Sequence, residues 1–278
     1  MILVDGVAYE GTVAPFDLSD RGFTLGDGLF ETMAVFAGRP FRLDAHLDRL
    51  AAGLAVLGFS VPRDRLAADV ATVAARAPAA GGVIRLTVTR GAGARGLAPP
   101  AEPKPTVVVS LAPFNPALVG EPTTLATVDV RRNAGSPVSR LKALPYLDNV
   151  LAAREAIGRG ARDALILDTA GRVACASVAN VFRLAGDRVE TPTTDAVLPG
   201  ITRALVLEIA PSLGLVPVER ALTRDDLAGA DAVFLTNSVR LLQPVTELDG
   251  IRFPRDERPA AILAALRAAV VAECGAGP

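Results

Sequence analysis

Residues 139–156 read SRLKALPYLDNVLAAREA, and the fold turns on how this stretch is read. A polar, Pro-broken loop, Ser136-Pro137-Val138-Ser139-Arg140, leads into it, and the spacing beyond Pro145 predicts an amphipathic helix. Tyr146, Val150, Ala153 and Ile157 fall on one helical face, while Asp148, Arg154 and Glu155 point away. Just before the helix stands Lys142, flanked by apolar Leu141, Ala143 and Leu144, in a chain where Lys is scarce and most basic positions are Arg. An amine buried among apolar neighbours loses basicity, which is the condition for Schiff-base chemistry. The alternative is a lysine whose stem packs while its head reaches water. This stretch by itself leaves both open.

The 278 residues are long for one domain and point to two compact lobes. Half of them are hydrophobic and Trp is absent, so the core is aliphatic. A formal net charge of −1 without blocks of like charge argues against a nucleic-acid or anionic-membrane surface. Cys175 and Cys274 stand far apart, with no CxxC and a single His, so neither a metal site nor a disulfide framework is expected. The N-terminal MILVDGVAYEG meets Asp5 too early for a signal peptide, and no apolar run reaches membrane-spanning length. A soluble cytoplasmic protein is expected.

On the N-terminal side, residues 1–14 look like a hairpin turning at Asp5-Gly6. In RGFTLGDGLFETMAVFAGRPFRLDAHLDRL, residues 21–50, Gly22, Gly26 and Gly28 set a tight loop before a short helix or strand carrying Phe30, Glu31 and Thr32. A helix is expected near 44–57, with His46 and Arg49 as i, i+3 neighbours. A second helix fits 65–77, and strands fit 83–90 and 106–113. Between those strands GAGARG, residues 91–96, matches GxGxxG in letters. The LAPPAEPKP beyond it cannot be helical, so the dinucleotide reading is rejected. The segment is a Gly/Pro loop able to cover a pocket. Arg95 at its tip is a candidate for a substrate carboxylate, or else a solvated loop charge.

Residues 114–123, FNPALVGEPT, have the character of an interdomain linker between an N-terminal domain, 1–113, and a C-terminal domain, 124–278. Beyond it the pattern predicts a strand at 124–130, the helix after Lys142 and a strand at 163–169. Strand-like pieces VACASVANVFRL and DRVETP come next. A helix then opens at LPGITR, residues 198–203, and runs to about 213, with Thr202 in its first turn. Free N–H groups there make an anion site suited to phosphate. A strand at 232–236 ends in Thr236-Asn237-Ser238, a second turn able to donate to a phosphate, and a helix at 258–273 closes the chain.

RGFTLGDGLFET, the HLDRL helix, KALPYLDNVLAAREA, the LPGITR turn and TNS together resemble the fold-type IV pyridoxal-phosphate enzymes. That family holds the branched-chain and D-amino-acid aminotransferases and aminodeoxychorismate lyase. The resemblance runs from about residue 1 to 270 with the motifs in the family's order. It implies an α/β (α+β) fold of two domains, the N-terminal one smaller, with pyridoxal 5′-phosphate between them in a homodimer. Carried over position by position, Lys142 would form the internal aldimine and act as the catalytic base. Arg49 would bind the phosphate with Ile201, Thr202 and Ser238, and Tyr146 would reach the cofactor's phenolic oxygen. Asn180, Leu198 and Gly200 join the same cofactor site, and Phe30 and Arg95 would face the substrate.

One position departs from the pattern. The family's strand reads roughly G-x-V-x-E-x-x-x-x-N-x-F, its Glu pairing with the pyridine nitrogen, whereas this chain has GRVACASVANVF with Cys175 at the Glu position. A thiol donates at most a weak S–H bond to a neutral ring nitrogen unless it ionises; alternatively Cys175 is a small buried hydrophobe. Three functions compete. GLFET resembles the aminotransferase branch, exchanging an amino group between an amino acid and a 2-oxo acid. TRGAGARGLAPP resembles the loop of aminodeoxychorismate lyase. Cys175 suggests a cofactor-binding homologue of weak activity.

Overall fold

Asp5 and Gly6 adopt positive φ, 48° and 81°, as a two-residue hairpin turn requires, and β1 (Ile2–Val4) folds back as β2 (Val7–Tyr9). In the computed structural model, which describes residues 1–278, this hairpin edges the sheet of the first of two units. That unit also holds α1 (Arg21–Leu25), β3 (Gly28–Phe36), β4 (Arg39–Pro40), α2 (Leu43–Leu57), α3 (Arg63–Ala74), β5 (Gly82–Thr89) and β6 (Val107–Pro113). All its strand pairs are antiparallel, in the order β2-β1-β6-β5-β3-β4. The segment carrying Phe30, Glu31 and Thr32, open between helix and strand, is strand: β3 pairs with β5 from Gly28↔Thr89 to Val35↔Gly82. Glycine is required where the pairing starts, because a Cβ on Gly28 would lie 2.5 Å from the Val88 carbonyl oxygen. α2 and α3 bury Leu47, Leu50, Leu54, Leu66, Val70 and Val73; fully burying one such side chain stabilises by about 1.5–3 kcal/mol. α3 covers 63–74 rather than 65–77. Pro78 disfavours a helical conformation in the residue before it, so the helix stops short.

The second unit contains β7 (Thr123–Arg132), α4 (Leu147–Gly158), β8 (Asp163–Asp168), β9 (Val173–Ala176), β10 (Asn180–Ala185), β11 (Arg188–Thr191), α5 (Ile201–Ile209), β12 (Val216–Glu219), α6 (Arg224–Ala228), β13 (Ala232–Asn237), β14 (Leu241–Leu248) and β15 (Ile251–Arg252). Its mixed sheet runs β12-β11-β10-β13-β14-β7-β8-β9, with β15 on β14. Alternation sorts side chains to two faces. Leu125, Leu165, Val173, Val181, Val233 and Val245 meet in one core, whereas Ala126, Ala164, Ile166, Ala174 and Cys175 form another with Ala152 and Ala156 of α4. α5 gives way at Ile209 to a 3₁₀ turn, Ala210–Leu213, where Pro211 lacks the N–H that would continue it. β12, α6, β14 and β15 are elements the sequence pattern had not separated. α7 (Arg258–Cys274) closes the chain.

Two expectations are corrected here. The face of α4 that is buried is Asn149, Ala152 and Ala156, whereas Val150 and Ile157 are exposed. Small alanines let the helix sit close on the alanine-rich sheet, and the Asn149 amide donates to the Ser177 carbonyl at 2.5 Å. Secondly, Lys142–Pro145 and Val270–Pro278 group with the first unit, although the sequence division places them after the linker. Main-chain pairing is the reason: Phe30 N–H donates to the Lys142 carbonyl at 2.9 Å and Leu144 N–H to that of Gly28 at 3.0 Å. At the C-terminal end, the Glu273 carboxylate accepts from Arg42 N–H at 2.6 Å. No helix is long and apolar enough to cross a membrane.

Candidate active site

In the first unit the functional side chains gather around Glu31 on β3 and the segment Lys142–Leu144 paired to it. Glu31 is buried. Arg49, one turn beyond His46 on α2, donates through Nε to Glu31 Oε1 at 2.8 Å and through Nη2 to Oε2 at 2.5 Å. His46 Nδ1 lies 2.7 Å from the same Oε2. The i, i+3 spacing read from HLDR thus presents both side chains to one carboxylate. Burial raises the Glu31 pKa, but the bonds from Arg49 and His46 outweigh it and hold the carboxyl at about 2. Burial lowers the His46 pKa and the Glu31 bond opposes this only in part, so His46 is held below its ordinary range.

Lys142, one of two lysines in the chain, has its amine 4.3 Å from the centre of the buried Phe30 ring. Burial drives this amine down to about 8; Glu31 pulls it up, while Arg49 and Arg85 push it further down. Arg85 on β5 stacks its guanidinium 3.6 Å from the Phe30 ring centre. Of the two readings open at Lys142, the lowered pKa of the amine beside Phe30 supports the desolvated one, although the residue as a whole is half-buried. Arg85 was missed, although it is the one charged residue in the apolar strand VIRLTVT. Arg95 is exposed in the 91–96 loop, where no helix comes after. Arg21 fastens the next residues: its guanidinium donates to the carbonyls of Gly96 (3.0 Å), Leu97 (3.0 Å) and Ala98 (3.3 Å) while its Nε holds Asp27 at 2.9 Å.

The second unit brings Asn180, Leu198, Gly200, Ile201, Thr202 and Thr236 together. Asn180 and Thr236 are cross-strand partners on β10 and β13. The Asn180 amide donates to the Leu198 carbonyl at 3.0 Å. Gly200 caps α5, and a Cβ there would meet Asn180 Oδ1 at 2.0 Å, so only glycine lets the helix start this close to the sheet. Gly200 offers no side-chain cap to the α5 N–H groups. Opposite Asn180 the buried Thr236 hydroxyl has no hydrogen-bond partner, a costly arrangement that an incoming ligand would relieve. Ser238 lies in the turn beyond β13, where Asn237 Oδ1 accepts from Val239 and Arg240 N–H. Cys175 is buried on β9, and Arg132 of β7 donates to its sulfur at 3.7 Å. Burial raises the thiol pKa against the opposing pull of Arg132. Tyr146 stands at the N-terminus of α4, near enough to Arg132 for the two groups to interact electrostatically. Sequence reading missed Arg132, for which the second of two adjacent arginines at a strand end gives no signal.

The family model for amino-transferase class IV matches residues 28–248. A Methanocaldococcus jannaschii protein with a provisional branched-chain-amino-acid aminotransferase assignment is 34% identical over 256 residues, covering 90% of this chain and 88% of its own. Among solved structures, 4-amino-4-deoxychorismate lyase of Pseudomonas aeruginosa superposes with TM-score 0.86 at 33% identity, covering 96% of this chain and 98% of that one. A hypothetical aminotransferase of Mycobacterium tuberculosis, in its PLP-bound form, gives 0.88 at 26% identity over 98% and 99%. With that family model spanning residues 28–248 and a relative 34% identical over most of both chains, the chain belongs to the class IV aminotransferases.

Proposed function

We propose that this chain is a pyridoxal-phosphate-dependent aminotransferase moving an amino group between an amino acid and a 2-oxo acid. The observation that carries the reading is the Lys142 amine, set against the Phe30 ring and lowered to about 8, so that it gives up its proton far more readily than an ordinary lysine. The donor set fits the cofactor: a weakly basic amine for an aldehyde, and for a phosphate the uncapped start of α5 with the unpartnered Thr236 hydroxyl. Bound pyridoxal phosphate supplies an aldehyde for amines and a ring that takes up the electron pair left at a substrate Cα. Lys142 would hold the cofactor through its amine and would serve as the base that takes the proton from the substrate Cα. Asn180, Leu198, Gly200, Ile201, Thr202 and Ser238 hold the phosphate end with Arg49. Tyr146 would orient the ring, and Cys175 would stand at the position facing its nitrogen. Phe30 with Arg85, and Arg95 on the loop, receive the substrate. Exposed Leu147, Val150, Leu151 and Ile157 on α4 support a homodimer, and two free buried cysteines support the reducing cytoplasm.

The test is a panel of amino donors against the purified holoenzyme, monitored by loss of the bound-aldehyde absorbance band. Conversion by at least one donor, regenerated by a 2-oxo acid, is the expected result; no conversion by any donor defeats the reading. A second reading, aminodeoxychorismate lyase, is favoured by TRGAGARG and its fastened loop. Release of 4-aminobenzoate and pyruvate from aminodeoxychorismate would select it.

Arg49 gives a separate prediction. A charge-assisted hydrogen bond is worth about 1.5–3 kcal/mol, so losing the guanidinium should weaken cofactor retention about tenfold or more. Arg49→Ala should release cofactor on dialysis under conditions where the parent keeps it. Equal retention would assign Arg49 to the Glu31 ion pair alone.

A further inference from the structure

Two irregularities flank the same piece of β8. Between β7 and β8 the register moves from Thr127↔Leu165 to Arg131↔Leu167, and between β9 and β8 it moves from Cys175↔Ile166 to Val173↔Leu167. The extra residues on either side of Ile166 re-aim the side chains next to them. On β9 the irregularity puts Cys175 in the same buried cluster as Ala174, its chain neighbour, instead of on the opposite face. On β7 it delivers Arg132, whose Nη2 lies 3.7 Å from Cys175 Sγ. The sulfur therefore accepts from a guanidinium, and its own S–H proton is left to point elsewhere.

A ligand direction is set by the rest of the unit. Val197 shares the buried cluster of Cys175, and the Leu198 carbonyl is held by Asn180 beside Gly200. The segment 197–200 runs from the cluster that holds Cys175 to the start of α5, where Asn180 and its cross-strand partner Thr236 lie, a span of at most about 10–14 Å when extended. A phosphorylated pyridine laid along it, phosphate at α5, brings its far end toward Cys175. Resting on the cofactor reading above, we propose that Arg132, acting through Cys175, is a positioning residue that keeps the cofactor's ring nitrogen unprotonated. The nitrogen accepts the thiol S–H, and the thiol sulfur accepts from Arg132. A proton on the ring would set N–H against S–H and a second cation beside the guanidinium.

Other charges nearby do not reverse this arrangement. Asp163 of β8 is spent on the Ala164 N–H and on the Ser177 N–H and hydroxyl. Asp148 at the start of α4 adds to the pull that raises the Arg132 pKa and keeps the guanidinium charged. Burial raises the Cys175 pKa, which keeps the sulfur protonated and neutral.

The experiment is nitrogen NMR of the holoenzyme reconstituted with pyridoxal phosphate carrying ¹⁵N in the ring, titrated from about pH 6 to 9. The parent should show the unprotonated-pyridine chemical shift throughout. Arg132→Leu should move ring protonation up into the titrated range, and Arg132→Lys, which keeps the cation, should restore the parent signal. Cys175→Glu should give the pyridinium signal, with a half-reaction roughly tenfold faster if Cα deprotonation is limiting. A parent signal at the pyridinium position, or one that Arg132→Leu leaves unmoved, overturns the proposal while leaving cofactor binding intact. Failure of borohydride to fix labelled cofactor on Lys142 overturns the cofactor reading and this inference together.

Discussion

Lys142→Ala should cut amino-group transfer by about 10⁴-fold, the upper end of what a positioned proton-transfer group contributes. Borohydride treatment of the holoenzyme should place the pyridoxyl group on the peptide containing Lys142, and on no peptide in the variant. The phosphate end does not depend on this amine, so the variant should still retain cofactor noncovalently. A variant within tenfold of the parent, or label on Lys104, would remove Lys142 from its role. The same residue carries a cost in the cofactor-free chain. An ordinary lysine stays charged up to about 10.5, whereas Lys142 loses its proton near 8. Below pH 8 folded and unfolded chains both carry the charge, and the folded one bears its burial; above 10.5 neither does. Cofactor-free Lys142→Met should therefore be the more stable protein below pH 8, by up to about 3 kcal/mol. That advantage should fade as pH rises from 8 to 10.5, as melting curves at pH 7 and pH 10.5 would show.

Glu31→Ala should destabilise the fold by about 3–5 kcal/mol, because it leaves the Arg49 guanidinium in a buried site without the carboxylate that neutralises it and takes away the hydrogen-bond partner of His46. For a chain of this size that is a fall in Tm of about 10 °C. The pH dependence carries the signature. Glu31 is held at about 2 against an ordinary value of 4.5, so its contribution is complete above pH 4.5 and is lost as pH falls toward 2. His46, buried and held below its ordinary 6.5, is charged in the unfolded chain before the folded one, which favours unfolding as pH drops below 6.5. The parent should lose stability over the whole descent, and Glu31→Ala should lack the share that belongs to the interval from 4.5 to 2. A variant melting within about 2 °C of the parent at pH 7 would show that Arg49 and His46 find other partners.

Residues that work through local spacing were legible in the sequence. Lys142 before its helix, His46 with Arg49 on one turn and the Gly200 helix start each depend on neighbours in the chain. The D-G hairpin and the rejection of GAGARG as a nucleotide loop rest on equally local chemistry. Residues that work through pairing across strands were not legible. Glu31 was seen, but not as the anchor for two side chains on α2, because that meeting depends on how α2 packs on β3. Arg85 reaches Phe30 through the register of β3 and β5, and Arg132 reaches Cys175 through two register shifts that no periodicity announces. The face of α4 was misjudged for a related reason: large apolar residues look like the buried side, yet an alanine-rich sheet accepts alanines.

The grip of Arg21 has a consequence for how this protein can diverge. All three of its bonds to the loop end on peptide carbonyls, at Gly96, Leu97 and Ala98, and none ends on a side chain. Such a hold is blind to residue identity, so mutation can rewrite the side chains of 94–98 while the backbone keeps its tether. Libraries that randomise Ala94, Arg95 and Leu97 with Arg21 and Asp27 kept would vary the exposed face of this loop at little cost to the scaffold. Arg21 itself is the position where such a library would fail as a whole.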